Sequence, residues 1–134
     1  MDTPDLPTSG FDALLGLSLD EVTKDGVTAS FEIRPDHHQP YGILHGGVLC
    51  SVVETVGSVS GAAWYDGPVV GTSNHTNFLR ATRTGRLTAR STPVHRGKTQ
   101  QLWEIDITDD QGRLVAKGQL RLANLTSADG LGRS

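Results

Sequence analysis

Apolar and polar positions along the chain fall into two repeats. Val27, Ala29, Phe31 and Ile33 alternate with Thr28, Ser30 and Glu32, the two-residue period of a half-buried strand. Residues 11–17 are apolar over a span that fits one or two helical turns. Residues 45–64 form the one long apolar stretch, closed by the turn signal Asp66-Gly67-Pro68. Val48, Val52, Val53, Val56 and Val59 favour a strand there, but the stretch is too long for an ordinary strand and predicts a helix. Its small residues (Gly46, Gly47, Ser51, Gly57, Ser58, Ser60, Gly61, Ala62, Ala63) would let that helix lie very close to a sheet.

Everything after Pro68 reads as strand, over 69–80, 86–95, 101–108 and 113–125. In the third segment Trp103, Ile105 and Ile107 alternate with Leu102, Glu104, Asp106 and Thr108. Asp109-Asp110-Gln111-Gly112 predicts a hairpin turn. The short gaps at Thr84-Gly85 and Gly97 predict antiparallel neighbours on either side of each. One or two strands, a long helix and four strands make an α+β domain, with the helix covering one face of a curved antiparallel sheet of five to six strands.

The 134 residues suit one domain, with 1–10 and 126–134 as loose tails. A net charge of −3 excludes a generally basic nucleic-acid binder. The single cysteine, Cys50, excludes an internal disulfide and a cysteine-based zinc cluster. The opening MDTPDLPTSG lacks the basic and apolar regions of a signal peptide, so a cytoplasmic location is expected. The helix length and Gly57-x-x-x-Gly61 would also suit a membrane span. Glu54 at its centre and its many Ser and Gly residues oppose that reading, and no membrane span is expected.

Charge is unevenly distributed. Residues 1–66 hold ten acids against Lys24 and Arg34, whereas 67–98 hold no acid and six bases: Arg80, Arg83, Arg86, Arg90, Arg96 and Lys98. This is either a local anion site or a solvated strand face paired to the acidic half. Gly46 and Gly47 at a helix N-terminus expose backbone N–H groups to an anion or oxyanion, or serve close packing. Glu54 is the only Asp, Glu, Lys or Arg between Asp36 and Asp66, and an unpaired carboxylate on an apolar helix points to function. Ser58 and Ser51 can share its face. Eight residues separate Gly46 from Glu54, about 12 Å along one helix, so one carbonyl cannot touch both. Two antiparallel helices in a homodimer would bring Gly46 of one chain to Glu54 of the other. Cys50 reads as a small buried hydrophobe rather than a nucleophile. His37, His38 and His45 lack the further ligands of a metal site, and His75 and His95 read as strand residues lining a surface.

Residues 39–64, with Gln39, His45-Gly46-Gly47 and Glu54 at this spacing, resemble the hotdog-fold acyl-CoA thioesterases. The nearest types are the arthrobacterial 4-hydroxybenzoyl-CoA thioesterase and the phenylacetate-pathway enzymes. Val69-Val70-Gly71-Thr72, Asn77-Phe78-Leu79-Arg80 and Pro93-Val94-His95-Arg96-Gly97-Lys98 extend the likeness to about residues 14–125. The resemblance implies a helix wrapped by a curved sheet, paired into dimers and then tetramers, acting on an aryl- or medium-chain acyl-CoA. Coenzyme A would be part of the substrate, with no metal and no separate cofactor. By position, the Gly46 N–H would polarise the thioester carbonyl, and Gln39 would lie beside that carbonyl or the attacking water. His45 would shape the helix start. Glu54 of the partner would be nucleophile or general base, assisted by Ser58. Gly47, Phe78, Arg80, His95, Arg96 and Lys98 would contact the substrate, the basic ones seating CoA phosphates. Ala81 stands where many members carry proline, and Phe78-Leu79 makes apolar a wall where relatives acting on hydroxylated aryl thioesters carry histidine. A binding module that holds acyl-CoA without hydrolysis, a hydratase or dehydratase of the same fold, and a structural protein are the competing readings.

Overall fold

The computed structural model describes residues 10–131. A short helix, α1 (Phe11–Leu15), precedes β1 (Ser18–Thr23) and β2 (Gly26–Glu32). A 3-10 turn at Pro35–His37 and a loop lead to the 20-residue helix α2 (Gly46–Tyr65). Then come β3 (Val69–Phe78), β4 (Arg86–Arg96), β5 (Gln100–Thr108) and β6 (Leu114–Asn124). The six strands form one antiparallel sheet in the order β1-β2-β4-β5-β6-β3.

The long helix, the alternating strand and the sheet class match the expectation. β1 is the strand without a pattern of its own: Val22 is its only buried residue. One pairing expectation is overturned. β3 and β4 are not neighbours; β3 pairs with β6, while β4 lies between β2 and β5. The strand expected over 69–80 ends at Phe78, so Arg80 lies in a link rather than on a strand. Residues 79–85 can span up to about 25 Å, more than the three strand spacings, about 14 Å, that separate β3 from β4. The link is tied down by Leu79 N–H and Arg80 N–H donating to the Val115 carbonyl at 2.8 and 3.1 Å. Farther on, Leu44 N–H donates to Thr82 and Ile33 N–H to Gly85.

The helix lies on the sheet with Leu49, Val52, Val53, Val56, Gly57, Ser60 and Gly61 buried. The sheet supplies Phe31, Leu87, Trp103, Ile105, Leu120 and Leu122. A Cβ on Gly57 would lie 2.6 Å from Leu120, and one on Gly61 only 2.3 Å from Leu122. The Gly57–Gly61 pair therefore sets the helix-to-sheet distance. By length and composition alone α2 could cross a bilayer; in this fold the sheet takes up its apolar side. Fully buried Gln101 donates to the Gly61 carbonyl at 3.2 Å and to Asn124 Oδ1 at 2.7 Å, and accepts from Trp103 Nε1 at 2.7 Å. A buried polar group is stable only when so satisfied, and the network pins the C-terminal half of α2 to β5 and β6.

Of the expected tails, residues 1–9 and 132–134 lie outside the described residues. The remainder at the C-terminus contains a turn closed by Leu131 N–H on the Ala128 carbonyl at 3.2 Å.

Candidate active site

The start of α2 is built by the loop before it. Gln39 N–H donates to the Ile43 carbonyl, Gly42 N–H to the Gln39 carbonyl, and His45 N–H to the His37 carbonyl, all at 2.8–2.9 Å. Gly42 takes φ 78°, which glycine tolerates and other residues resist. His38 Nε2 meets the Arg83 carbonyl at 2.7 Å, which ties the loop to the 79–85 link. The Gln39 Oε1 accepts from Tyr41 N–H, leaving the amide nitrogen of Gln39 open toward the cavity it lines.

His45 is the N-cap, extended at ψ 133°, and its Nδ1 accepts from Gly47 N–H at 2.7 Å. That geometry puts the imidazole proton on Nε2. Both glycines are needed for space: a Cβ on Gly46 would lie 2.5 Å from the Phe78 ring, and one on Gly47 would lie 2.8 Å from His45 Nδ1. Packing and chemistry are thus both present. His45 occupies the Gly47 N–H and Val48 N–H bonds the His45 carbonyl. The Gly46 N–H makes no hydrogen bond among the described residues. It borders a cavity of about 300 Å³ lined by Gln39, Leu49, Phe78, Arg80 and Thr82, among others. The unpaired N–H carries the positive end of the helix dipole into that space.

Glu54 lies two turns along α2 and is exposed. It lines a second cavity, of about 500 Å³, with Asp12, Thr55, Ser58, Val59, Ala62, Pro68 and Val69. The two cavities share no lining residue. The carboxylate lies beside Gly71 of β3, its Oε1 3.7 Å from where a Cβ on that glycine would stand, an ordinary contact distance. Asn74 Nδ2 of β3 donates to the Cys50 carbonyl at 2.9 Å, which fixes this turn of the helix against the strand. Ser58 shares the cavity but makes no hydrogen bond to Glu54, and Ser51 instead donates to the Gly47 carbonyl at 2.7 Å. Asp12, Thr55 and Asn74 carry no signal in the sequence, because their contacts bridge distant segments.

The basic residues divide. Arg80 borders the Gly46 cavity. Arg96 packs at the other end of the molecule, with its guanidinium 5.6 Å from the Trp64 ring centroid and 3.0 Å from Asp25 Oδ1. Lys98 and His95 flank the Gly97 turn beside it. Within one chain, then, the structure brings Gln39, His45, Gly46, Gly47, Phe78 and Arg80 together, groups Ser58 with Glu54, and leaves His95, Arg96 and Lys98 apart from both groups. Among the described residues no cluster of His, Cys, Asp and Glu has metal-binding geometry.

His37 supports the loop from beneath. It is buried, its ring sits edge-on to Phe31 at 5.7 Å, and its Nδ1 accepts from Arg34 N–H at 3.1 Å. Burial holds its pKa below the ordinary 6.5; Arg34 and His38 push the same way, against the Leu14 carbonyl and Asp36. The folded chain therefore binds this proton less readily than the unfolded chain. The contribution to stability is full above the unfolded value of about 6.5 and is lost as pH falls through the folded value. Thermal unfolding of wild type should show Tm falling on acidification from about pH 6.5, and His37→Asn should flatten that fall.

Comparison with known proteins gives this geometry its setting. Residues 41–116 match the family model described as the Thioesterase superfamily. The chain belongs to that superfamily. It is 42% identical over 133 residues to Rv1847 of Mycobacterium tuberculosis, covering 92% of this chain and 95% of that one. It is 34% identical over 113 residues to the 1,4-dihydroxy-2-naphthoyl-CoA hydrolase of Escherichia coli, covering 83% of each. The crystal structure of thioesterase HI1161 from Haemophilus influenzae superposes with a TM-score of 0.80 at 35% identity, over 87% of this chain and 85% of that one. The fold is the hotdog fold of this superfamily, and the protein is a thioester hydrolase.

Proposed function

We propose that the protein hydrolyses an aryl- or medium-chain acyl-CoA to free acid and CoA in a site shared by two subunits. The observation that carries this is the separation of the two reactive groups on one chain. An unpaired Gly46 N–H and an exposed Glu54 carboxylate open into different cavities. β3 supplies a means of pairing: its outer edge has no sheet neighbour among the described residues, and most of its side chains are exposed. An unpaired edge of this length invites a second copy.

In the proposed dimer the thioester carbonyl lies between the Gly46 N–H of one chain and Glu54 of the other. Glu54 attacks the carbonyl carbon or takes a proton from the water that does. Negative charge then collects on the carbonyl oxygen, which the Gly46 N–H stabilises. Collapse breaks the C–S bond, and CoA leaves as thiolate to be protonated; where Glu54 itself attacks, water then hydrolyses the acyl–Glu54 anhydride to the free acid and restores the carboxylate. His45 keeps Gly47 N–H occupied and so aims the helix start. Gln39 offers its amide to the same carbonyl or water, and Ser58 offers a hydroxyl to the water beside Glu54. The polyanionic CoA arm follows the cavity that carries Arg80, with the Phe78 ring against it. The acyl group takes the Glu54 cavity, which has no cation in its lining.

The test is thiol release from a panel of aryl and aliphatic acyl-CoAs by the purified protein. Turnover of aryl or medium-chain members supports the reading. Binding across the panel without turnover would overturn it in favour of a module that only holds acyl-CoA.

A further inference from the structure

The Glu54 cavity contains a second carboxylate with no part in the mechanism above. Asp12 belongs to α1, and its Oδ1 accepts from Thr55 Oγ1 at 2.8 Å. It makes no ion pair, and no other side-chain hydrogen bond, among the described residues. Thr55 is the neighbour of Glu54 on α2, and Asp12 and Glu54 line the same space. The rest of the lining is Ser58, Val59, Ala62, Pro68 and Val69. Among the described residues of one chain, the cavity therefore has apolar lining, two carboxylates and no Lys, Arg or His.

α1 is held in this position by contacts that do not involve Asp12's charge. Leu15 is buried, Gly16 turns the chain at φ 66°, and Arg34 donates to the Leu14 carbonyl. A neutral or apolar residue at position 12 would seat α1 as well. We propose that Asp12 sets the charge specificity of the acyl pocket: it rejects acyl groups that carry an anion and favours neutral or cationic ones. This rests on the hydrolase reading, in which the acyl group occupies the Glu54 cavity. Placing a third negative charge among two carboxylates in a partly enclosed space is repulsive, and such repulsion is an effective means of rejecting wrong partners.

The experiment compares three acyl-CoAs of one chain length: hexanoyl-CoA, adipoyl-CoA with a terminal carboxylate, and 6-(trimethylammonio)hexanoyl-CoA with a terminal cation. Asp12→Asn keeps an acceptor for Thr55 and removes the charge. Its kcat/KM for adipoyl-CoA relative to hexanoyl-CoA should rise at least about tenfold over wild type. Its relative kcat/KM for the cationic substrate should fall, with hexanoyl-CoA as the reference for both ratios. Thr55→Val breaks the hydrogen bond and keeps the charge; it should leave adipoyl-CoA discrimination within about threefold of wild type. Asp12→Asn ratios equal to wild type, or an equal shift in Thr55→Val, would overturn the proposal. Wild type hydrolysing none of the three, nor any aryl-CoA, would overturn the hydrolase reading itself and this inference with it.

Discussion

Glu54→Ala should lower kcat by at least about a hundredfold, the range a positioned acid–base group supplies, and leave the fold and acyl-CoA binding nearly intact. The stability half of the expectation follows from exposure. Glu54 stands on the outer side of α2, with no ion pair or side-chain hydrogen bond among the described residues. Surface replacements of that kind cost within about 0.5 kcal/mol, and alanine favours a helix. The kinetic half follows from the lack of a substitute. The other carboxylate in the cavity, Asp12, is engaged with Thr55 and approaches from α1. Ser58 cannot serve as a nucleophile at neutral pH without a partner to take its proton, and the nearby Cys50 has no histidine partner. Thiol release measured beside circular dichroism and size-exclusion chromatography checks both halves. Turnover equal to wild type in a folded oligomer would move the chemistry to another residue.

How much of this was readable in the chain depends on whether the interacting residues lie close together in sequence. The helix start and the carboxylate sit in one segment, so the spacing of Gln39, His45, Gly46 and Glu54 could be weighed directly. The shared-site idea came from the same segment, since eight helical residues are too far apart for one carbonyl. β5 was legible from its alternation, and that parity also places Gln101 on the buried side with Trp103, Ile105 and Ile107. A polar residue at an inward position is a signal for a core hydrogen-bond network, and Ser91, inward with Leu87 and Ala89 on β4, is a second such signal. The partner of β3 was not legible. Gap length constrains which strands can meet, but residues 79–85 are long enough to pass both strands of the β5–β6 hairpin.

The basic stretch 80–98 divides, for a physical reason. Its residues span a link and an eleven-residue strand, so they spread from the Gly46 cavity to the far end of the sheet. Arg80 reaches the cavity. Arg96 is instead stacked near Trp64 and Trp103 and paired with Asp25. One alternative, a face paired to the acidic half, is met by Arg96 with Asp25, while Arg80 borders the Gly46 cavity. Asp12 could not be found because a 43-residue separation joins it to Thr55, and no local pattern reports such a contact.

Gly46→Pro should lower kcat by about a hundred- to a thousandfold relative to Gly46→Ala, the effect expected for losing one oxyanion donor. The substitution removes the N–H at a position whose backbone already suits proline, at the cost of crowding Phe78. Gly46 is the first helical residue, where proline is favoured because that N–H has no intrahelical partner. His45 before it, at φ −67° and ψ 133°, already has the extended backbone that a following proline requires. The added carbons meet the Phe78 ring, which is 55% exposed and free to swing outward. Gly46→Ala adds the same first carbon and retains the donor, so the ratio of the two variants isolates the hydrogen bond from the crowding. A second arm decides where the site lies. Gly46→Pro and Glu54→Ala chains, each nearly inactive alone, are unfolded together and refolded as a mixture. If each site takes Gly46 from one chain and Glu54 from the other, every hybrid dimer has one site with both groups intact and one with neither. Random pairing makes half the dimers hybrids, so the mixture should recover about a quarter of wild-type activity. Were both groups drawn from the same chain, each hybrid site would lack one of them, and mixing would restore nothing.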